Sequence, residues 1–299
     1  MSIKSHLPST NYQLPLVVIV GPTASGKTSL AIDLARQFNG EIICADSRSI
    51  YKGADIGTAK PSLAEQALVP HWGLDLVEPG KYFTAADFKD YANQKISEIR
   101  SRGHTPFLVG GTGLYIDAVL FDFKFGNPAD TDLRLLLQQM TIDELYEYCE
   151  KNNVILPENY KNKRYIIRAI ENRDIEQNRD KSVRKDSIVV GISTDKVILR
   201  SRIIQRSEQL FENGVVDEAK MLGEMYGWDN EAMKSNIYPL VHLLLDGFMT
   251  MDEVKEKFVT LDWRLAKRQL TWLRRNKFIQ WLPLDDAKLF LIDKLAILN

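Results

Sequence analysis

The chain has 299 residues, of which 44% are hydrophobic and 26% are charged, and its formal net charge is −1. This length allows two domains, or one domain with a large insertion, and the composition is typical of globular proteins. The near-zero charge excludes a uniformly basic nucleic-acid coat protein. Because the chain has only two cysteines, Cys44 and Cys149, and no long apolar run, we expect a cytoplasmic protein without a disulfide framework, a signal peptide or a membrane span.

Strands and helices alternate in the first part of the chain. The apolar run 16–20 predicts a buried strand, and a helix is predicted over 27–38. A helix beginning after Thr84 is predicted from the Thr84/Asp87 capping box. Further strands are predicted over 41–46, 71–77 and 105–111. This alternation indicates an α/β fold, with a parallel sheet flanked by helices.

The pattern becomes mostly helical after about residue 125. One strand is predicted over 187–193 and a possible second over 277–283. Helices are predicted over 132–140, 142–152, 161–172, 196–213, 215–226 and 252–276. We therefore predict three segments: a first part of the α/β core over 1–124, a helical insertion over 125–185, and a C-terminal part of the core with basic helices over 186–299.

The segment GPTASGKT lies between the first predicted strand and helix and fits the phosphate-loop pattern G-x-x-x-x-G-K-S/T. In such a loop, backbone N–H groups and the following helix N-terminus hold phosphate oxygens. A lysine adds a positive charge, and the final hydroxyl can bind Mg²⁺. The pattern predicts a P-loop NTPase-like core with these anion-binding residues: Gly21, Pro22, Thr23, Ala24, Ser25, Gly26, Lys27 and Thr28. A glycine-rich turn without a ligand is the alternative.

The sequence around the other strand ends does not match a nucleotide hydrolase. Such enzymes usually place an acidic residue after a second strand to hold Mg²⁺, whereas the strand over 105–111 leads into Thr112. The acidic residue here is Asp46, at the end of the second predicted strand. Since ligands bind at the carboxyl ends of parallel strands, we expect Asp46, Thr112 and the phosphate loop to share one crevice. There Asp46 could bind a metal or take a proton from a nucleophile.

Seven sequence blocks, in this order, resemble those of the tRNA dimethylallyltransferases, also called tRNA isopentenyltransferases. The resemblance covers most of residues 14 to 275, and DIGTAKP and AKRQLTWLR are far more specific than the phosphate loop. The blocks are GPTASGKT, DSRSIYKGADIGTAKP, PHWGLD, YFTAADF, LVGGTGLYI, RAIE and RLAKRQLTWLRR.

The resemblance implies transfer of a dimethylallyl group from dimethylallyl pyrophosphate to N6 of the adenosine 3′ of the anticodon, in tRNAs reading codons that begin with U. It implies that Lys27 and Mg²⁺ at Thr28 stabilise the leaving diphosphate, that Asp46 is the general base, and that Thr112 contacts the acceptor nucleotide. The tRNA contacts near the reacting base would include Asp46, Ser47, Arg48, Ser49 and Thr112.

When the family's functional residues are matched to this sequence position by position, some positions differ from the family pattern. The family's diphosphate-binding arginine falls on Lys234, which keeps the charge but lacks the planar fork of arginine. In the helical insertion, Arg134, Arg164 and Arg168 are the candidate tRNA contacts. The insertion is shorter than is usual in the family, so some of its tRNA contacts are expected to differ.

The last long helix carries a basic stripe that suits a phosphate backbone. Arg264, Lys267, Arg268, Thr271 and Arg275 fall within about 100° of arc at 3.6 residues per turn. A solvated helix face is the alternative interpretation of this stripe. We expect a monomer, because no heptad pattern appears. Two other functions stay open: prenylation of a free adenine nucleotide, which needs no basic groove, and phosphorylation of a small metabolite by a P-loop kinase.

Overall fold

The computed structural model describes residues 14–126, 131–172 and 182–297. It divides into two compact units, one formed by Met1–Asp122 with Ser182–Asn299 and the other by Phe123–Lys181. The smaller unit is one continuous stretch of the chain, inserted between the two segments that form the larger unit. Its predicted role in tRNA binding stays a prediction.

The larger unit contains a six-stranded sheet in which every pairing is parallel. The predicted α/β fold class is therefore confirmed, and the strand order is β3-β2-β4-β1-β5-β6. The strands are β1 Leu16–Val20, β2 Gly40–Ala45, β3 His71–Trp72, β4 Thr105–Gly110, β5 Ser187–Ile192 and β6 Gln280–Leu282. β1, β2 and β4 are buried along their whole lengths, as expected for parallel strands covered on both faces.

Twelve α-helices and one 3₁₀ helix are found in the described residues. Thr84 and Asp87 form the predicted capping box, and within the described ranges no helix is long and apolar enough to cross a membrane. The helices of the larger unit are α1 Lys27–Gln37, α2 Leu63–Leu68, α3 Ala85–Ser101, α4 Gly113–Leu120, α8 Lys196–Glu212, α9 Val215–Tyr226, the 3₁₀ helix Ala232–Lys234, α10 Tyr238–Leu245, α11 Met251–Leu273 and α12 Leu284–Ala296. Those of the smaller unit are α5 Thr131–Gln139, α6 Ile142–Lys151 and α7 Lys163–Glu171.

The main hydrophobic core lies between the sheet and the helices α1 and α12. Ile19 and Phe107 of the sheet pack there with Leu34 of α1 and Leu291 of α12. Side chains alternate across a strand, and Val18, which points to the opposite face, is also fully buried. Both faces of the sheet are therefore covered, which leaves its strand ends as the place where a polar ligand can reach the backbone.

The smaller unit has its own core, formed where α5, α6 and α7 meet. Leu137, Leu145 and Ile166 are fully buried in it. Two of the candidate tRNA contacts stabilise this unit. Arg134 donates two hydrogen bonds of 2.6 Å to the buried carboxylate of Glu171, and Arg168 donates a third of 3.1 Å.

The DIGTAKP segment is held by a carboxylate from another part of the chain. Glu218 of α9 accepts hydrogen bonds of 2.7–2.8 Å from the backbone N–H groups of Asp55, Ile56 and Gly57. It also accepts one of 2.7 Å from the hydroxyl of Tyr238, which is fully buried. This segment is therefore fixed to the core by a charge-assisted network.

We expect Glu218→Gln to lower the free energy of unfolding by about 2–3 kcal/mol, because an amide accepts with one oxygen only and leaves buried donors unpaired. Urea unfolding followed by circular dichroism measures this loss. Glu208→Gln is the matched control, since it removes an exposed ion pair with Lys255 and is expected to cost about 0.5 kcal/mol or less. Equal losses in the two variants would contradict the structural role of Glu218.

Candidate active site

The phosphate loop connects β1 to α1 in a tight turn that contains a residue with a left-handed backbone conformation. Gly26, the residue before α1, has φ +88°, a conformation that favours glycine, and the N–H of Ser25 donates to the carbonyl of Pro22 at 3.3 Å. The Ser25 side chain is fully buried, yet its hydroxyl has no hydrogen-bond partner among the described residues. Since a buried unpaired hydroxyl is costly, this turn fits an oxyanion that would accept from it.

Lys27 lies at the first position of α1 and turns back over the loop. Its Nζ donates to the carbonyl of Pro22 at 3.1 Å, and burial lowers the pKa of Lys27 to about 8. The negative charge of Asp46 opposes this shift, whereas the positive charge of Arg206 adds to it. The charges of Asp46 and Arg206 are therefore close enough to Lys27 to shift its pKa.

The ends of β2 and β4 are tied together, which places Asp46 beside Thr112. The Thr112 N–H donates to the carbonyl of Ala45 at 3.2 Å, and its hydroxyl accepts from the N–H of Ser47 at 3.1 Å. One Asp46 oxygen, Oδ1, accepts from the N–H of Arg48 at 2.8 Å. The carboxylate of this half-buried residue is thus fixed at the strand end by a backbone hydrogen bond to one of its oxygens.

Three side chains that the sequence analysis did not assign to the site contact the phosphate loop from the C-terminal part of the chain. Gln269 of α11 accepts from the N–H of Thr23 at 2.8 Å. From α8, Arg206 donates to the Thr23 hydroxyl at 2.9 Å and Arg202 to the carbonyl of Ser25 at 3.2 Å. The spacing of the two arginines, which puts both on one helix face, is the local signal that could have identified them.

α11 is anchored to α4, the helix that follows β4, and this fixes the position of Gln269. The indole of Trp272 and the amide of Asn276 each donate a hydrogen bond of 2.7 Å to the carboxylate of Asp117. Asp117 is buried, and burial raises the pKa of its carboxyl group. Trp272 therefore has a structural role here.

The structure does not bring Lys234 to the phosphate loop through any contact in the described part of the chain. Lys234 belongs to the 3₁₀ helix, is 54% exposed and pairs with Glu231 at 2.5 Å. The carbonyl of Glu231 also accepts from Arg48 at 2.6 Å. Binding of diphosphate by Lys234 stays a prediction.

The other predicted tRNA contacts differ in their surroundings. Arg164, Arg264 and Arg268 are exposed, and no ion pair involves them within the described ranges. Arg134 and Arg168 instead share the Glu171 carboxylate described above. Ser49 is buried, and its carbonyl accepts from the N–H of Asp75 at 3.3 Å. The RNA-binding role of all of these stays a prediction.

The residues around Thr28 fit a magnesium ion that is held partly by the substrate. Among the described residues, no group of three or more His, Cys, Asp or Glu side chains could hold a metal ion. The half-buried Thr28 hydroxyl lies in the first turn of α1, next to the anion-binding loop. Mg²⁺ commonly combines one or two protein oxygens with substrate phosphates, so the hard oxygen donor present here suits that ion.

Comparison with known proteins places the chain in one family. The family profile for IPP transferase matches residues 49–276. The chain is 36% identical over 286 residues to the tRNA dimethylallyltransferase of Anoxybacillus flavithermus, covering 92% of each protein. It is 37% identical over 291 residues to that of Halalkalibacterium halodurans, covering 91% of this chain and 92% of the relative.

Solved structures agree with the sequence comparison. The full-length tRNA isopentenylpyrophosphate transferase of Bacillus halodurans is 35% identical, covers 94% of this chain and 97% of its own, and has a TM-score of 0.72. A eukaryotic dimethylallyltransferase solved acting on tRNA shares the fold, with a TM-score of 0.73 over 91% of this chain and 74% of its own, at 22% identity. The chain therefore belongs to the IPP transferase family.

Proposed function

We propose that this protein transfers a dimethylallyl group from dimethylallyl pyrophosphate to N6 of the adenosine 3′ of the anticodon in tRNAs that read UNN codons. The products are N6-isopentenyladenosine and pyrophosphate. The observation that carries the proposal is that a phosphate loop with Lys27 lies within electrostatic reach of the Asp46 carboxylate, which a backbone hydrogen bond fixes at the end of β2. The names of the relatives support the same reaction.

The phosphate loop holds the diphosphate of the donor. Its donors would be the backbone N–H groups of Ala24, Gly26, Lys27 and Thr28, the Lys27 ammonium, and the Ser25 hydroxyl, which has no partner among the described residues. As the allylic carbon–oxygen bond breaks, both bonding electrons go to the diphosphate and its negative charge grows. Donors already in position then stabilise the transition state more than the ground state.

Asp46 acts as the general base for the acceptor adenosine. Attack by N6 forms the new carbon–nitrogen bond and leaves an extra proton on nitrogen, which the carboxylate accepts. The hydrogen bond from the Arg48 N–H holds Oδ1, so Oδ2 is the oxygen that would accept this proton. Thr112, whose hydroxyl is oriented by the Ser47 N–H, contacts the same nucleotide. The base must leave the anticodon-loop stack to reach these groups.

Thr28 is the residue that would hold Mg²⁺, together with oxygens of the diphosphate. When bound there, the ion would neutralise charge that develops on the leaving group. The exposed cations Arg264, Lys267 and Arg268 on α11, and Arg164 on α7, would contact the RNA backbone, and we propose that the protein acts as a monomer. The smaller unit, Phe123–Lys181, would provide the insertion's tRNA contacts.

Reaction of purified protein with dimethylallyl pyrophosphate, Mg²⁺ and unmodified tRNA tests the proposed function. We expect nucleoside mass spectrometry to find isopentenyladenosine at the position 3′ of the anticodon. A parallel reaction with AMP is expected to give no product, because the free nucleotide offers no phosphate backbone to the basic residues. Prenylated AMP without prenylated tRNA, or phosphate transfer from labelled ATP to a small metabolite, would overturn the proposal.

Asp46→Asn should lower kcat by about 10²–10⁴-fold at pH 7, because the amide keeps the shape of the side chain but cannot take the proton. The affinity for inorganic pyrophosphate, measured by titration calorimetry, should stay within about twofold. Asp33→Asn, which changes an exposed carboxylate paired with Lys288, is the control and should leave kcat unchanged. A variant at Asp46 with the wild-type kcat would rule out the general-base role.

Pyrophosphate affinity should depend on pH through Lys27. A bound diphosphate favours the charged ammonium, so it raises a pKa that is about 8 in the ligand-free protein. The contribution of Lys27 is therefore complete below pH 8 and is lost as pH rises, by about tenfold per pH unit. Calorimetric titrations from pH 6.5 to 9.5 on wild type and Lys27→Met measure this ratio, in which the titration of pyrophosphate itself cancels. A ratio that does not change with pH would contradict the prediction.

A further inference from the structure

A buried carboxylate behind the phosphate loop has no role in the reaction described so far. Asp262, on α11, is 2% exposed. Its Oδ1 accepts from the amide of Asn236 at 2.8 Å, while its Oδ2 is buried without a hydrogen-bond partner in the described part of the chain. Buried carboxylates are normally paired with a positive charge, and the cation that faces Oδ2 is Arg206, whose Nε lies 3.7 Å away.

The Arg206 guanidinium lies between this carboxylate and the phosphate loop. Its Nη1 donates to the Thr23 hydroxyl at 2.9 Å, and its Nε, on the Asp262 side, makes no hydrogen bond to any described residue. At 3.7 Å the two groups attract by charge without forming a hydrogen bond. The guanidinium therefore contacts the phosphate loop through Nη1 and is attracted through Nε to the buried carboxylate on its other side.

Arg206 contacts the loop at Thr23 although Lys27 places a second positive charge nearby. The positive charge of Arg206 contributes to lowering the pKa of Lys27, which means that the two cations repel each other. The arginine side chain is 26% exposed, so solvent is open to it. The buried negative charge of Asp262 opposes this repulsion from the side away from the loop.

We propose that Asp262 is a positioning residue that holds Arg206 at Thr23, and that Arg206 is a second cation for the donor diphosphate beside Lys27. This inference rests on the proposed function, because the ligand is the diphosphate of that donor. The planar guanidinium offers paired N–H donors to phosphate oxygens, which an ammonium does not. Asp262 itself does not touch the substrate.

The sign of the effect of Asp262→Asn distinguishes this role from a purely electrostatic one. A carboxylate that only repelled the diphosphate would, when neutralised, strengthen its binding. A carboxylate that holds Arg206 would, when neutralised, release the guanidinium and weaken binding. Asparagine keeps the size of the side chain and can still accept from Asn236, so the substitution removes mainly the charge.

The experiment is a double-mutant cycle with inorganic pyrophosphate and MgCl₂ at pH 7, read by titration calorimetry. We expect Asp262→Asn to weaken binding about tenfold, Arg206→Ala to weaken it at least as much, and the double variant to bind no more weakly than Arg206→Ala. Glu208→Gln is the control, because Glu208 pairs with Lys255 across the same two helices, α8 and α11. Its affinity should equal that of wild type.

Tighter or unchanged binding by Asp262→Asn, or additive losses in the double variant, would overturn the inference while leaving the proposed function intact. Absence of pyrophosphate binding by the wild type would overturn the donor site itself, and the inference with it. If thermal unfolding shows that Asp262→Asn does not fold at the assay temperature, Arg206→Lys replaces it. That variant leaves Asp262 in place, and wild-type affinity in it would overturn the role of Arg206.

Discussion

A site that binds a diphosphate must gather positive charge before the ligand arrives, and the surroundings of the phosphate loop are arranged around that constraint. Lys27 and Arg206 act on each other electrostatically, and the pKa of Lys27 falls to about 8 through burial and this repulsion. Two carboxylates counter the excess charge, Asp46 near Lys27 and Asp262 near Arg206. The cations Lys27, Arg202 and Arg206 thus outnumber the two carboxylates, and the proposed diphosphate would compete with internal contacts such as that of Lys27 with the Pro22 carbonyl.

The phosphate loop is supported by a part of the chain that is remote in sequence. Gln269 of α11 and Arg206 of α8 both bond to Thr23, although they are far from it in the sequence. Arg202 of α8 bonds to the carbonyl of Ser25. α11 is in turn fixed to α4 through Asp117. The loop therefore depends on the folding of the C-terminal helices, which also carry the exposed cations proposed to contact RNA. The proposed donor and acceptor sites would therefore share this helical support.

The acceptor side of the site depends on two strand ends that lie side by side in the sheet. β2 and β4 are neighbours, and a Cβ at Gly110 would lie only 2.1 Å from the carbonyl of Ala45. This close approach lets the Thr112 backbone bond to Ala45 and its hydroxyl to Ser47. The same region continues into the DIGTAKP segment, which Glu218 fixes to the core. A carboxylate held by a backbone hydrogen bond, as Asp46 is, would lose little entropy in the proposed role of general base.

Much of the fold could be predicted from the sequence because its signals are local. The apolar run 16–20 became β1 at the same residues, the capping box at Thr84 starts α3, and the helix predicted over 215–226 is α9. The segment predicted as a strand over 71–77 forms a strand of the sheet at His71–Trp72, and its Val77 makes an isolated bridge to Tyr51. The length of a strand depends on the neighbour with which it pairs. α12, Leu284–Ala296, was not predicted, although its buried face covers the sheet.

For the site, the sequence by itself determined the anion-binding loop, Lys27 and the carboxylate at the end of β2, because each belongs to a motif whose geometry follows from neighbouring residues. Only the tertiary structure decided the partners. Thr23 and Gln269 are separated by 246 residues, Lys234 pairs with Glu231, and Arg134 and Arg168 share Glu171. A charge pattern in the sequence shows where a cationic side chain is present. Whether that side chain pairs with a carboxylate depends on how the helices pack. Packing brings together residues that are far apart in the sequence, so it cannot be read from local patterns.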